Sequence, residues 1–247
     1  MDRITFACRI VIGTATAFAF LSTPALADDK REFEWTVTGT GTSDYIFRGM
    51  SLSGESPVFQ ASIDGTYGIW YFGVWGSGLA DTGAAEVDVY TGINPALGPV
   101  TFDLGVVYYS CFWSTPCASN YIELKAGAEI SPVKSLTLKP VFWYSPHSDN
   151  YPETWTAEGT ASYTLPAVGI FTPTVSGLVG YSEQIEPLAL GADFTALGVE
   201  RYVYWNAGIA LTVEKFTFDF RYWDTDIDTH AGLAEERFVF TASVTLP

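Results

Sequence analysis

After residue 30 the chain has no run of 18 apolar residues, so helical membrane spans are excluded. Basic side chains are scarce: 12 Lys and Arg stand against 28 Asp and Glu, a formal charge of −16. A surface of that sign repels phosphate backbones and removes nucleic acid as a partner. Histidine and cysteine are nearly absent, with two and three residues. Once Cys8 leaves with the leader described below, a zinc site could draw only on Cys111, Cys117, His147 and His230, and none is expected. No cofactor is expected either.

What the chain has in abundance is period-2 alternation, which returns about a dozen times. Between residues 33 and 48, Phe33, Trp35, Val37, Tyr45 and Phe47 share one parity, and Glu34, Thr36, Thr38, Thr40, Thr42, Asp44 and Arg48 hold the other. A strand sends alternate side chains to opposite faces, so this segment has one apolar and one polar face. Residues 1–27 help choose between a soluble sandwich and a membrane barrel. Arg3 and Arg9 begin them, Ile10 to Leu21 are apolar, and Ala25-Leu26-Ala27 precede Asp28. This is the pattern of a secretory signal peptide, and the apolar stretch is too short for a spanning helix. The expected organisation is a leader over 1–27 and a single β-barrel domain over 28–247.

Twelve candidate strands follow, each with a consistent parity. Phe59, Ala61 and Ile63 oppose Gln60, Ser62 and Asp64, and Trp70, Phe72 and Val74 oppose Tyr71, Gly73 and Trp75. Ile122, Leu124, Ala126, Ala128 and Ile130 oppose Glu123, Lys125, Gly127 and Glu129, charges that an apolar core would not hold unpaired. Links near 65–69, 93–99, 131–135, 166–171 and 214–215 are short, whereas those near 48–57, 77–85, 110–120, 145–154, 182–201 and 224–236 are longer and more polar. An even number of roughly 10-residue strands with short turns on one side and long loops on the other predicts an all-β, antiparallel transmembrane barrel of about 12 strands, its short turns periplasmic and its long loops extracellular. A secreted β-sandwich is the alternative architecture. Tyr45, Phe47, Phe59, Tyr108 and Tyr144 are expected at the long-loop ends of outward faces, and Phe33, Trp35, Trp70 and Phe216 at the short-turn ends, forming two interfacial belts.

Five stretches carry a family resemblance: SDYIFRGMSLS at 43–53 with Pro57 and Gln60, GIWYFGVWGSGL at 68–79, EVDVYTG at 86–92, FWYSPHS at 142–148 and FRYWDTD at 220–226. In this order they resemble the TorF-type porin family, Gcw_chp-type bacterial outer-membrane proteins without an established substrate. The resemblance implies a Gram-negative outer-membrane barrel, exported through the periplasm. Its expected partners are outer-membrane lipid and lipopolysaccharide, periplasmic chaperones and the barrel-assembly machinery. Such barrels usually end on an aromatic residue, whereas this chain ends Thr245-Leu246-Pro247.

In a barrel the polar parity faces the lumen. Asp64, Glu86, Asp88, Asp103, Glu123, Glu129, Glu158 and Asp219 would then line it with Lys125, Lys139, Arg221 and Arg237, eight acids against four bases. Carboxylate-rich walls favour cations. The expected function is passive diffusion of small neutral or cationic solutes. The alternative is a non-conducting structural or surface-interaction barrel whose charges pair across a plugged interior, since 12 strands lie between the filled eight-stranded barrels and the open porins of about 16. Lumenal Tyr90, Trp143 and Tyr204 suit either reading: they could smooth a sugar path or fill it. Asp44 and Arg48, near the long-loop rim, suggest a local ion pair or a mouth-lining role. Cys111 and Cys117 share one loop in an oxidising compartment, so a disulfide is expected. His147-Ser148-Asp149 holds the letters of a hydrolase triad, the least favoured reading, because sequence neighbours on one loop seldom adopt triad geometry. Asp224, Asp226, Asp228 and Glu235 imitate calcium-loop spacing, but Thr229 stands where the sharp turn needs Gly, and a solvated acidic loop is expected instead.

Overall fold

The computed structural model describes residues 32–79, 84–112, 120–148, 151–186, 199–228 and 232–247. The expected leader, Cys117, Asp149, Thr229 and His230 lie outside the described residues. Twelve strands form the wall: β1 Phe33–Thr42, β2 Val58–Tyr67, β3 Trp70–Gly78, β4 Ala85–Ile93, β5 Val100–Phe112, β6 Tyr121–Val133, β7 Leu136–Ser145, β8 Glu153–Thr164, β9 Thr172–Glu186, β10 Arg201–Val213, β11 Phe216–Thr225 and β12 Arg237–Leu246. Each is antiparallel to its neighbours in sequence, and β12 returns to β1 in a register running from Val37 opposite Leu246 to Thr42 opposite Thr241. This last pairing closes the sheet and leaves no edge strand. The expected barrel, its strand count and its alternation of short turns and long loops are all present.

The period-2 pattern determines which way the wall faces. Phe59, Ile63, Trp70, Val89 and Leu124 are exposed on the outer face. Their intervening partners Gln60, Ser62, Tyr71, Asp88, Glu123 and Lys125 are buried inside. The outer face is a continuous apolar band, as a bilayer requires, because closure satisfies the backbone polar groups. Phe33 stacks on Phe72 with ring centroids 6.0 Å apart, and Trp35, Trp70 and Phe216 are exposed near the same rim. This is the short-turn aromatic belt expected from the sequence.

Burial of the inner face rises towards the long-loop end. Along β1, Glu34 is exposed, Thr36 and Thr38 are half-buried, and Thr40 and Thr42 are buried. On β8 the order is reversed in sequence but identical in space: Thr154 and Thr156 are buried, whereas Thr160 and Ser162 are half-buried. The short-turn half is therefore a vestibule with hydroxyl-bearing walls, and the long-loop half is filled.

Candidate functional site

The filling comes from the first long loop. β1 ends at Thr42, where the Ser43 N–H donates to the Phe240 carbonyl and the Thr42 hydroxyl donates to the Asp44 carbonyl at 2.7 Å. The chain then turns into the barrel as a short hairpin, Ile46–Phe47 paired with Met50–Ser51. Its two central residues, Arg48 and Gly49, have φ of +49° and +83°. Two positive φ values at a two-residue turn are the signature of the type I′ hairpin, which suits the right-handed twist of paired strands. The expectation that Tyr45 and Phe47 point outward is corrected here. Tyr45 is 1% exposed and packs edge-on against Trp75 with ring centroids 5.3 Å apart, and Phe47 meets Tyr109 at 6.1 Å.

Asp44 anchors the base of the hairpin. It accepts from Ser51 Oγ at 2.6 Å, Ser53 Oγ at 2.7 Å and Arg237 Nη1 at 3.0 Å, and the Tyr45 N–H donates to Ser53 Oγ at 2.8 Å. A local Asp44–Arg48 ion pair, suggested by their spacing, does not form. Arg48 lies at the hairpin tip and reaches the wall at β6, where Nη1 and Nη2 donate to Glu123 Oε1 and Oε2, each at 2.9 Å. Both side chains are almost wholly buried, and this two-point geometry is among the strongest that a guanidinium makes. Tyr109 donates a further hydrogen bond to Glu123 at 3.0 Å. The guanidinium lies 4.7 Å from the Phe47 ring centroid and 5.9 Å from that of Trp143. Burial disfavours the charge on Arg48, and the Glu123 carboxylate opposes it most strongly among the groups that together hold the guanidinium above its ordinary range.

Gly49 is the residue this seating requires. A Cβ there would fall 2.5 Å from Thr225 Cγ2 and 2.8 Å from Tyr204 Cβ, in a backbone conformation that L residues rarely adopt. Gly49→Ala should therefore unseat the hairpin at a cost of roughly 1–3 kcal/mol, and limited proteolysis of the folded barrel should cut within residues 43–57 at least ten times faster, by about 1.4 kcal/mol per decade. Protection equal to that of the parent chain would contradict this.

Of the twelve charges assigned to the lumen, eight form ion pairs, Glu123 with Arg48 among them. Lys125 pairs with Asp103, which also accepts from Tyr71 at 2.8 Å. Lys139 pairs with Glu129 at 2.9 Å, Arg221 with Asp219 at 2.8 Å, and Arg237 with Asp44. Arg221 also donates to Asn206 at 2.6 Å and Ser176 at 3.0 Å, tying three strands together. Four acids have no ion pair among the described residues. Asp64 accepts from Tyr90 and Ser62, Glu158 accepts from Trp143 and Tyr204, Glu86 hydrogen-bonds Tyr45, and Asp88 accepts from the Ser110 backbone. The second Asp88 oxygen, Oδ1, is buried without a hydrogen-bond partner.

The remaining sequence candidates are not assembled into sites. Ser148 Oγ is engaged by Tyr151, whose N–H it accepts at 3.0 Å, and Asp149 lies outside the described residues. Asp224 Oδ1 caps the Thr225 N–H at 2.8 Å and Asp226 Oδ1 accepts from the Val203 N–H at 2.7 Å, so both serve the local backbone. Among the described residues no group of three potential ligands converges.

A family model described as "Bacterial protein of unknown function (Gcw_chp)" matches residues 27–246. The chain belongs to the Gcw_chp family. No curated protein matches its sequence. Among solved structures the Gcw_chp chain resembles the KdgM porin, with a TM-score of 0.58 at 6% identity, covering 86% of this chain and 98% of that one. It also resembles the NanC porin, with a TM-score of 0.57 at 11% identity, covering 87% and 100%. LpxR from Salmonella typhimurium follows, with a TM-score of 0.49 at 8% identity, covering 85% and 99%. The likeness to the KdgM and NanC porins, at these identities, shows the shared barrel fold.

Proposed function

We propose that this Gcw_chp barrel is a porin-like channel of the outer membrane that passes small neutral or cationic solutes by passive diffusion, with hairpin 43–53 as its constriction. The observation that carries this reading is the contrast between the two faces of the wall. The outside is apolar, whereas the inside is hydroxyl-rich and carries the half-buried acids Asp64 and Glu158, which lack an ion-pair partner among the described residues. Uncompensated carboxylates along an aqueous path attract cations and repel anions. The porin names of KdgM and NanC agree with the reading. The direct test is swelling of liposomes that hold the refolded chain. Isosmotic arginine hydrochloride should drive faster swelling than sodium glutamate of matched osmolarity, and the reverse order would overturn the cation preference.

A second reading has one observation in its favour. The long-loop half of the lumen is packed by Tyr45, Trp75, Tyr90, Tyr109 and Trp143, as a non-conducting structural barrel would be. Liposomes that never swell around a correctly folded chain would select it. No catalytic role is proposed. Export through the periplasm, insertion by the assembly machinery and contact with lipopolysaccharide belong to the same proposal. So does a disulfide between Cys111 and Cys117, which would stiffen the outer mouth; non-reducing mass spectrometry of the secreted chain should find the peptide bearing Cys111 two mass units lighter than its two free thiols require.

A further inference from the structure

We infer that the lumenal side-chain cluster around Glu123 is a guanidinium site, occupied in the closed barrel by Arg48 of the chain itself and available to guanidinium-bearing solutes that compete with it. The inference deepens the channel reading and rests on it for its consequence, the opening of the path. Binding at the site stands on the geometry alone.

The receptor side belongs to the wall. Glu123 on β6 presents both carboxylate oxygens to the lumen and is held from behind by the Tyr109 hydroxyl on the adjacent β5 at 3.0 Å. Trp143, on β7 at the other side of β6, offers its ring face and is fixed in turn by its indole N–H to Glu158 at 3.0 Å. A planar fork of donors that also stacks on an aromatic ring is the chemistry of guanidinium, and an ammonium reproduces only its charge. One strand further round, Asp88 lies directly opposite Tyr109 and within electrostatic reach of Glu123. Its Oδ1 is buried without a hydrogen-bond partner among the described residues.

The occupant side belongs to a detachable element. Arg48 is carried at the tip of a hairpin whose own pairing is only two residues on each side. Apart from its base at Asp44, the hairpin is held in the lumen by Arg48, by a Tyr45–Glu86 hydrogen bond, by the Ser51 N–H donating to the Leu233 carbonyl at 2.8 Å, and by the packing of Ile46, Phe47 and Met50. The tip backbone is left-handed at Arg48, a conformation that is unfavourable for a non-glycine residue and that the Glu123 contact offsets. A ligand that replaces Arg48 at Glu123 therefore removes the main polar contact between hairpin and far wall.

The experiment uses the refolded full-length mature barrel in detergent, with agmatine as the guanidinium probe, putrescine as its diamine counterpart and sodium chloride at equal ionic strength as the control. Isothermal titration should show saturable one-to-one agmatine binding to Arg48→Ala. The parent chain should bind about tenfold or more weakly, since its tethered arginine competes at millimolar effective concentration. Putrescine should bind Arg48→Ala more weakly than agmatine, and Arg48→Ala/Glu123→Gln should bind neither. Arg48→Gln, nearly equal in length, serves as the second vacated site should the alanine variant fail to fold, and heat-modifiable electrophoretic mobility reports folding for each. Equal agmatine binding with and without Glu123, or none to either folded vacated variant, would overturn the site. In planar bilayers agmatine should raise the open probability of the parent chain. Silent bilayers with intact binding would remove the channel reading and leave the guanidinium site standing.

Discussion

In a Glu123→Ala variant the hairpin should leave the lumen, and conductance through the barrel should rise severalfold. The substitution strands the Arg48 guanidinium in a buried environment without its carboxylate, a loss of about 3–5 kcal/mol. Tyr109 loses its acceptor at the same time. The folded chain has two ways to respond, by unfolding or by releasing the hairpin to water. Release is the cheaper, because it leaves the twelve-strand wall intact while hairpin 43–53 stays tethered at its base through Asp44 and Arg237. Single-channel recording beside Glu123→Asp, which retains the charge at shorter reach, checks this. Conductance equal to that of the parent chain in a folded Glu123→Ala barrel would show that the Arg48 contact does not hold the hairpin.

The second large effect concerns the outer face. Ile63 lies at the middle of β2, is 60% exposed, and has Val37 of β1 and Val74 of β3 as its lateral neighbours. Ile63→Arg should destabilise the inserted barrel by about 2–4 kcal/mol, the cost of a guanidinium on the lipid face near the bilayer midplane. Urea titration of folding into lipid vesicles measures it. An unchanged midpoint would mean that this face does not meet hydrocarbon, and the membrane-spanning account would fail with it.

These two sites differ in how far the sequence exposes them. Ile63 is legible at once, because Phe59, Ala61 and Ile63 alternate with Gln60, Ser62 and Asp64, and exposure follows that period from Phe59 to Ile63. The same rule assigns twelve charges to the inner face. It misled at the hairpin because Tyr45 and Phe47 remain in phase with Phe33, Trp35 and Val37, so the alternation continues through the point where β1 stops. The local signals for a turn inward are the Arg48-Gly49 pair and the Ser51 and Ser53 hydroxyls that satisfy Asp44. The Arg48–Glu123 pair is separated by 75 residues and is set by how the barrel closes, so no short-range pattern contains it. The count of eight acids and four bases on the polar parity is legible in the sequence. Which four acids would lack a cation depended on cross-strand register, together with the unforeseen arrival of Arg48 and Asp44 inside the wall.

The most direct test of the central claim, that this barrel is a cation-preferring channel narrowed by its own first loop, is single-channel recording of the refolded mature chain under a salt gradient. The account predicts small discrete steps in the parent chain, larger steps when Glu123 is replaced, and in both a reversal potential of the sign set by cation flow. An anion-selective reversal potential, or silence in both folded chains, would contradict it.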